Sequence, residues 1–224
     1  MTAVGVVVGL ASEARLLRDR PGVRVACSGA SAARARILAA KLLDGGCDAL
    51  VSFGLAGGLD PRLSSGALCL PEAVLTASGA RLAVDAPWRA RLVQRIGGAP
   101  GCALLLGSDR AVASPEEKSA LFARTGAAAI DMESHAVAAA AAERAAPFLV
   151  IRAIADPAER RLPPWLAGVI GADGRPVART LAAGLARNPA DAAAMLRLGG
   201  DARRGLKTLR RVAALAGPLL AFPV

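Results

Sequence analysis

The sequence predicts an α/β fold whose strands are covered on both faces, and three observations predict it. Short, continuously apolar runs recur at Val4 to Val8, Asp48 to Phe53 and Phe148 to Asp156, the texture of strands packed between two layers of helices. Between these runs lie stretches with capping residues and helical spacing, so strand and helix signals alternate as far as Ala155. At 224 residues the chain matches one large α/β domain, or one domain with an appendage, and is long enough to bury a substantial core.

The first strand, Val4 to Val8, leads into Ser12 and Glu13, which open a helix to about Arg20. Val23 to Cys27 is a second short strand, and Ser28-Gly29 turns the chain into a helix from about Ser31 to Leu43. The third strand, Asp48 to Phe53, ends in the glycine-rich stretch Gly54 to Leu59. Ala67 to Leu75, interrupted by Pro71, and Arg81 to Val84 are weaker strands, with a short helix over Trp88 to Ile96. Cys102 to Leu106 runs into Gly107-Ser108-Asp109. Ser114 to Lys118 is a helix start with a capping serine, proline in the first turn and early acids. Ala128 to Asp131 is a strand, an alanine-rich helix spans Glu133 to Ala145, and the strand from Pro147 to Ala155 completes the sheet.

Beyond Asp156 the texture changes. Glu159 to Trp165 is a loop, and helices follow over Pro176 to Ala186, Pro189 to Leu198 and Asp201 to Ala216. In the last of these Leu206, Leu209, Val212 and Leu215 form an apolar stripe among Arg203, Arg204, Lys207, Arg210 and Arg211, which makes a basic amphipathic helix. The division expected is therefore an α/β core over residues 1–156 and a basic helical extension over 157–224, packed on or beside the core. The stripe has two readings, packing on the core or lying on an anionic membrane surface.

Charge and cysteine usage narrow the class. The net charge of +10 comes from 25 Arg against 3 Lys in an alanine-rich chain, a pairing that reflects coding bias more than nucleic-acid binding. With no Tyr and few Phe or Trp, little is available to stack single-stranded bases, so no nucleic-acid partner is expected. Cys27, Cys47, Cys69 and Cys102 are scattered without a CxxC pair, and His135 is the single histidine. Buried free thiols, no metal site and a reducing cytoplasm are expected. No apolar run reaches the length of a membrane span, and no basic segment precedes the short N-terminal apolar run as in a signal peptide.

Three carboxylates carry the functional reading. Glu13, Glu133 and Asp156 each follow a strand and so project at the same sheet edge, where ligands of open α/β sheets bind. Taken singly each has a plain alternative: Asp156 caps a turn before Pro157, and Glu13 and Glu133 are first-turn acids stabilised by a helix dipole. Gly54 to Gly58 lets backbone approach a ligand or simply makes a tight turn, and neither a GxGxxG nor a GxxxxGK[ST] motif occurs. Ser28-Gly29-Ala30-Ser31, with Arg34 one turn on, forms an anion cradle or an ordinary serine cap. His135 lies about 200° round the helix from Glu133 and faces elsewhere.

The order of Glu13, Gly54-Leu55-Ala56-Gly57-Gly58, Gly107-Ser108-Asp109, Asp131-Met132-Glu133 and Arg152-Ala153-Ile154-Ala155-Asp156 resembles the nucleoside phosphorylase and nucleosidase superfamily, especially the methylthioadenosine/S-adenosylhomocysteine nucleosidases. The resemblance runs from about Val4 to Asp156. It implies a three-layer α/β/α sandwich around a mixed, barrel-like sheet. It also implies roles: Asp156 as the acid contacting N7 of a purine, Glu13 as the carboxylate near the nucleophile, Glu133 on the ribose 2′ and 3′ hydroxyls, Met132 against sugar and base, and Ala56 and Gly57 lining the base. No cofactor is implied beyond inorganic phosphate as co-substrate in a phosphorylase, for which Ser28, Gly29 and Arg34 are the candidate binding residues. Relatives are commonly dimers or larger, so a homo-oligomer is expected.

The sequence departs from the family in ways that bear on substrate. Arg110-Ala111-Val112 replaces the aromatic residue after the Ser-Asp motif, Leu55 and Ala155 stand where hydrolases carry Ser, and Ser52 stands where many phosphorylases carry Arg. A short segment from Pro71 to Cys102 leaves the 5′ side of the ribose open. That open side, the Pro163-Pro164-Trp165 segment and the basic tail look like the hopanoid-associated phosphorylases. That likeness implies release of adenine from adenosylhopane, a substrate with a bulky apolar 5′ group, at the inner face of a membrane touched by the C-terminal helix. The alternatives are a hydrolytic nucleosidase acting on small 5′-thioadenosines, and a non-catalytic nucleoside-binding or membrane-surface module.

Overall fold

The computed structural model describes residues 2–98 and 101–223. Among the described residues nine strands and seven helices follow one another: β1 (Val4–Val8), α1 (Ala11–Ala14), β2 (Val23–Cys27), α2 (Ala32–Asp44), β3 (Ala49–Gly58), β4 (Leu68–Cys69), β5 (Ala73–Leu75), β6 (Arg81–Ala83), α3 (Ala86–Ile96), β7 (Leu104–Gly107), α4 (Pro115–Thr125), β8 (Ala129–Asp131), α5 (Ser134–Glu143), β9 (Phe148–Asp156), α6 (Ala178–Arg187) and α7 (Ala192–Leu215). The strands form one mixed sheet in the order β2-β1-β3-β8-β7-β5-β6, with β9 lying along β3 and β4 pairing β9. β1, β2 and β9 run parallel to their neighbours in the β3 region, whereas β8 meets the end of β3 antiparallel through Gly57 and Gly58.

Helices α2 and α5 pack on each other and on one face of the sheet, while α7 packs on β9 and β3 from the other, which makes the three layers. The continuous apolar strands follow from this cover: every residue of β1 and all of β9 except Asp156 are buried. Local chemistry sets the helix starts. The Ser31 and Ser114 side chains accept from the Arg34 and Glu117 amides, Asp85 does the same for Trp88, and Pro115 stands in the first turn of α4.

Four expectations are corrected. The glycine-rich stretch is not a tight turn after the third strand; Gly54 to Gly58 continues β3, paired with β9 as far as Gly57 and with β8 at Gly57 and Gly58. The first helix is a single turn, Ala11–Ala14, and does not reach Arg20. The helices expected over Pro189 to Leu198 and Asp201 to Ala216 are largely one helix of 24 residues, which passes through Gly199 and Gly200 without a break because an exposed glycine costs a helix only about 1 kcal/mol. Finally, Cys69 and Cys102 form a disulfide, leaving only Cys27 and Cys47 free. The sheet carries β4 beside the entry to β7 and brings the two Cα atoms to 5.1 Å, a proximity that their separation of 33 residues does not announce.

Half of the leucine stripe of α7 is core: Leu209 and Val212 are buried, Leu206 packs partly against the core, and Leu215 is 43% exposed. Ala213 and Ala216 are buried with them in the main hydrophobic cluster, and Arg20, after α1, donates to the Gly217 carbonyl at 2.7 Å. Leu209 and Val212 of the stripe therefore face the sheet. Among the described residues no helix is long and apolar enough to cross one. Truncating Leu209 to Ala should lower stability by about 2–5 kcal/mol through the cavity it leaves, whereas Leu196→Ala, at a side chain 80% exposed, should change it by no more than about 0.5 kcal/mol. Denaturant titrations check this, and equal small effects at both positions would place the stripe outside the core.

Candidate active site

The ends of β1, β3, β8 and β9 open on one cavity of about 440 Å³. Its inner wall holds Glu13, Ala56, Gly57, Asp131, Met132, Glu133, Arg152 and Asp156, so the structure brings together all the catalytic and sugar- or base-binding candidates of the sequence. The three carboxylates share this wall because Glu13 sits in the turn after β1, Glu133 directly follows β8 and Asp156 ends β9.

A side chain without an assigned role in the sequence organises that wall. Arg152 points inward from β9 and is 1% exposed. Its Nε lies 2.6 Å from Asp131 Oδ2, and its Nη2 donates to Glu133 Oε2 at 3.1 Å and to Ser52 Oγ at 2.7 Å. Nη1 donates to the Leu55 carbonyl at 3.1 Å. Asp131 in turn accepts from the Ser134 amide at 3.0 Å and from the Ser134 hydroxyl, fixing the start of α5 and hence the position of Glu133. Burial opposes the Arg152 charge, but Asp131, Glu133 and Glu13 outweigh it and raise its pKa. The legible signal was an arginine inside an otherwise apolar strand, since a buried charge requires partners.

Glu13 is held without a direct ion pair. Its Oε2 accepts from the Gly9 and Leu10 amides at 3.0 and 2.8 Å, and its Oε1 from the Leu55 amide at 2.8 Å. Burial pushes its pKa up, with Arg152 and these amides opposing. The close fit explains Gly54: a Cβ there would stand 2.6 Å from Glu13 Oε1 and 2.7 Å from Arg152 Nη1. Gly9 is required in the same way, since its Cβ would stand 2.8 Å from Glu133 Oε1.

Asp156 has a partner that the sequence did not mark. Lys118, fully buried in α4, donates to Asp156 Oδ2 at 2.7 Å. Burial pushes the Asp156 pKa up, and Lys118 pulls the other way. In the sequence Lys118 was one more charged residue in the first turns of a helix, with nothing local to separate it from a solvated lysine.

Ser28, Gly29 and Arg34 are not among the residues lining the cavity. Ser28 is fully buried, its amide donates to the Val8 carbonyl, and the next turn is spent on helix capping by Ser31. The space beside Gly29 is filled by residues 171–172, whose carbonyls would stand within 3.0 Å of any Cβ there. His135 also faces away, with Nε2 3.1 Å from Asp109 Oδ1. The outer wall comes from the C-terminal third: Leu162, Leu166, Ile170, Leu181, Met195 and Leu198.

The fold is that of the phosphorylase superfamily. The profile of the phosphorylase superfamily matches residues 15–166, and the chain belongs to that family. Among solved structures it resembles 5′-methylthioadenosine/S-adenosylhomocysteine nucleosidase from Neisseria meningitidis in complex with methylthio-immucillin-A, with a TM-score of 0.72 and 18% identity over 96% of this chain and 99% of that one. It also resembles S-adenosylhomocysteine nucleosidase from Streptococcus pyogenes (TM-score 0.71, 17% identity, 100% and 98% covered) and futalosine hydrolase of Helicobacter pylori (0.68, 16%, 95% and 97%). No curated protein sequence matches the chain.

The site has a pH signature. Burial pushes Glu133 from the ordinary 4.5 up to about 7, Arg152 opposing and Asp131 and Glu13 adding to the rise. Between those values the folded protein holds a proton that the unfolded chain has released, so this contribution to stability falls as pH rises through the window. Glu133→Gln cannot ionise and should flatten the slope. Relative to the variant, the parent should lose on the order of 2 kcal/mol between pH 5 and pH 8; an unchanged difference at the two values would contradict the assignment.

Proposed function

We propose that the protein cleaves the N-ribosyl bond of a 5′-substituted adenosine and releases adenine, with phosphorolysis of adenosylhopane in hopanoid biosynthesis as its particular reaction. One observation carries the reading: a single cavity whose inner wall is a set of buried carboxylates around Arg152 and whose outer wall, from Leu162 to Leu198, is apolar. The likeness to nucleosidases solved with nucleoside analogues supports the inner half of that reading.

Breaking the bond builds positive charge on the ribose and negative charge on the departing base. Asp156, kept protonated by burial to higher pH than an exposed aspartate, gives its proton to N7. Glu133 accepts from the 2′ and 3′ hydroxyls and orients the sugar, Met132 packs against sugar and base, and the backbone of Ala56 and Gly57 lines the base. Glu13 stands on the side of the anomeric carbon open to attack. The 5′ group extends along Leu166, Ile170, Leu181 and Met195, where an apolar substituent gains about 25 cal/mol per Å² buried. For a membrane-borne substrate the contact falls to the exposed first turns of α7, where Leu196 stands beside Arg197, and not to the buried Leu209 and Val212.

Phosphate as the attacking group rests on the family resemblance. A second reading, hydrolysis of a small 5′-thioadenosine, is favoured by the charges of the wall. Of its two cations Arg152 is committed to Asp131 and Glu133, and Arg110 pairs with Glu117, while Glu13 and Glu133 repel an anion.

Product analysis with adenosines carrying methylthio or long apolar 5′ groups, with and without phosphate, tests the proposal. Adenine and a sugar 1-phosphate should appear only with phosphate, and faster from the long substrates. Full-rate formation of the free reducing sugar without phosphate would make the protein a hydrolase, and no adenine from any substrate would leave a binding module. Asp156→Asn should fold and lose about 100-fold or more in turnover; activity within threefold of the parent removes Asp156 from the chemistry.

A further inference from the structure

We propose that Lys118 is a positioning residue for the proton transfer: it holds Asp156 Oδ2, directs Oδ1 to the purine and supports the carboxylate that forms as the proton leaves. The inference rests on the proposed base-releasing reaction and extends it to a residue outside the cavity wall.

The geometry singles out Lys118. A buried ammonium needs its hydrogen bonds satisfied, and Lys118 Nζ finds four acceptors, all on the segment that ends β9: Asp156 Oδ2 at 2.7 Å, and the Asp156, Pro157 and Arg160 carbonyls at 3.2, 2.9 and 3.2 Å. One cation from α4 thus fixes both the side chain of Asp156 and the course of the chain that follows it. The arrangement continues outward, because the guanidinium of Arg160 binds Asp201 of α7 at 2.9 Å, and Arg204 binds the other Asp201 oxygen at 2.7 Å. The charges acting on Asp156 are therefore Lys118 from α4 and, more weakly, Asp201 from α7, itself paired with two arginines.

Burial and Lys118 do opposite work on the acid. Burial keeps a proton on Asp156; the adjacent ammonium makes that proton easier to release. In the step itself an oxygen of the attacking phosphate, or of water in the hydrolytic reading, bonds to C1′ as the C1′–N9 electron pair moves onto the base, N7 takes the proton from Oδ1, neutral adenine departs, and the carboxylate left behind is already ion-paired. Solvent restores the proton after release. An acid retained only by burial would hold its proton too strongly to serve N7.

The test is the pH dependence of kcat for Lys118→Met and Lys118→Gln. Met matches the length of the stem without charge; Gln keeps amide donors for the carbonyls, also without charge. Removing an opposite charge at this distance raises a carboxyl pKa by about 1 unit or more, so the alkaline limb of the profile should move up by that much in both variants. At the parent's optimum kcat should fall roughly tenfold or more, with KM changed less than threefold. Thermal melts identify a variant that does not fold, in which case the other supplies the profile. An unmoved alkaline limb in a folded variant, or a loss confined to KM, overturns the role of Lys118 while leaving the reaction standing. A parent that releases no base overturns both.

Discussion

Arg152 carries a full positive charge in the middle of a buried strand, and the arrangement of the site follows from what that charge requires. An ion taken out of water is tolerated only when its attraction to nearby charges and its hydrogen bonds replace what hydration supplied. Here Asp131, Glu133, Ser52 and the Leu55 carbonyl supply them, and Glu13 adds its field. The partners come from three parts of the chain, Glu13 after β1, Ser52 and Leu55 in β3, and Asp131 and Glu133 at the end of β8, so satisfying one guanidinium aligns the ends of β1, β3, β8 and β9. The same requirement places two carboxylates at the inner end of a cavity without leaving them mutually repelling and uncompensated.

A second buried cation does comparable work at the far end of β9. Lys118 ties α4 to Asp156 and the chain after it, and Arg160 ties that chain to Asp201 of α7. The helical C-terminal third is thereby joined to the site by charge as well as by the apolar face of Leu209, Val212 and Ala213. Its earlier part, from Leu162 to Leu198, supplies the apolar outer wall that distinguishes the two ends of the cavity. The polar side of the cavity is thus held by the sheet, and its apolar side by the segments added after it.

Much of this was legible in the sequence, for identifiable reasons. Strands buried on both faces leave continuous apolar runs, and serine caps announce α2 and α4, so the layered fold could be read directly. Glu13, Glu133 and Asp156 could be grouped because topology places residues after such strands at one edge. What stayed hidden depends on distance in the chain: the Lys118 to Asp156 pair spans 38 residues, and the Cys69 to Cys102 disulfide spans 33. The stripe on α7 was visible, but an amphipathic helix carries the same pattern whether its apolar face meets lipid or a sheet; only the fold shows β9 beneath it. Gly54 to Gly58 misled for a related reason, since glycine marks a close approach as readily as a turn, and here the approach is of Glu13 and Arg152 to the backbone of a strand.

The central claim is that the carboxylates gathered around Arg152 receive the ribose while Asp156 receives the base. A structure determined with 9-deazaadenosine, whose carbon–carbon link between sugar and base cannot be cleaved, tests it directly. The account predicts the ribose 2′ and 3′ hydroxyls on Glu133, N7 within hydrogen-bonding distance of the Asp156 oxygen that Lys118 leaves free, and the 5′ end directed toward Leu166 and Met195. A ligand bound in the reverse sense, with its base against the apolar outer wall and its sugar away from Glu133, would contradict it.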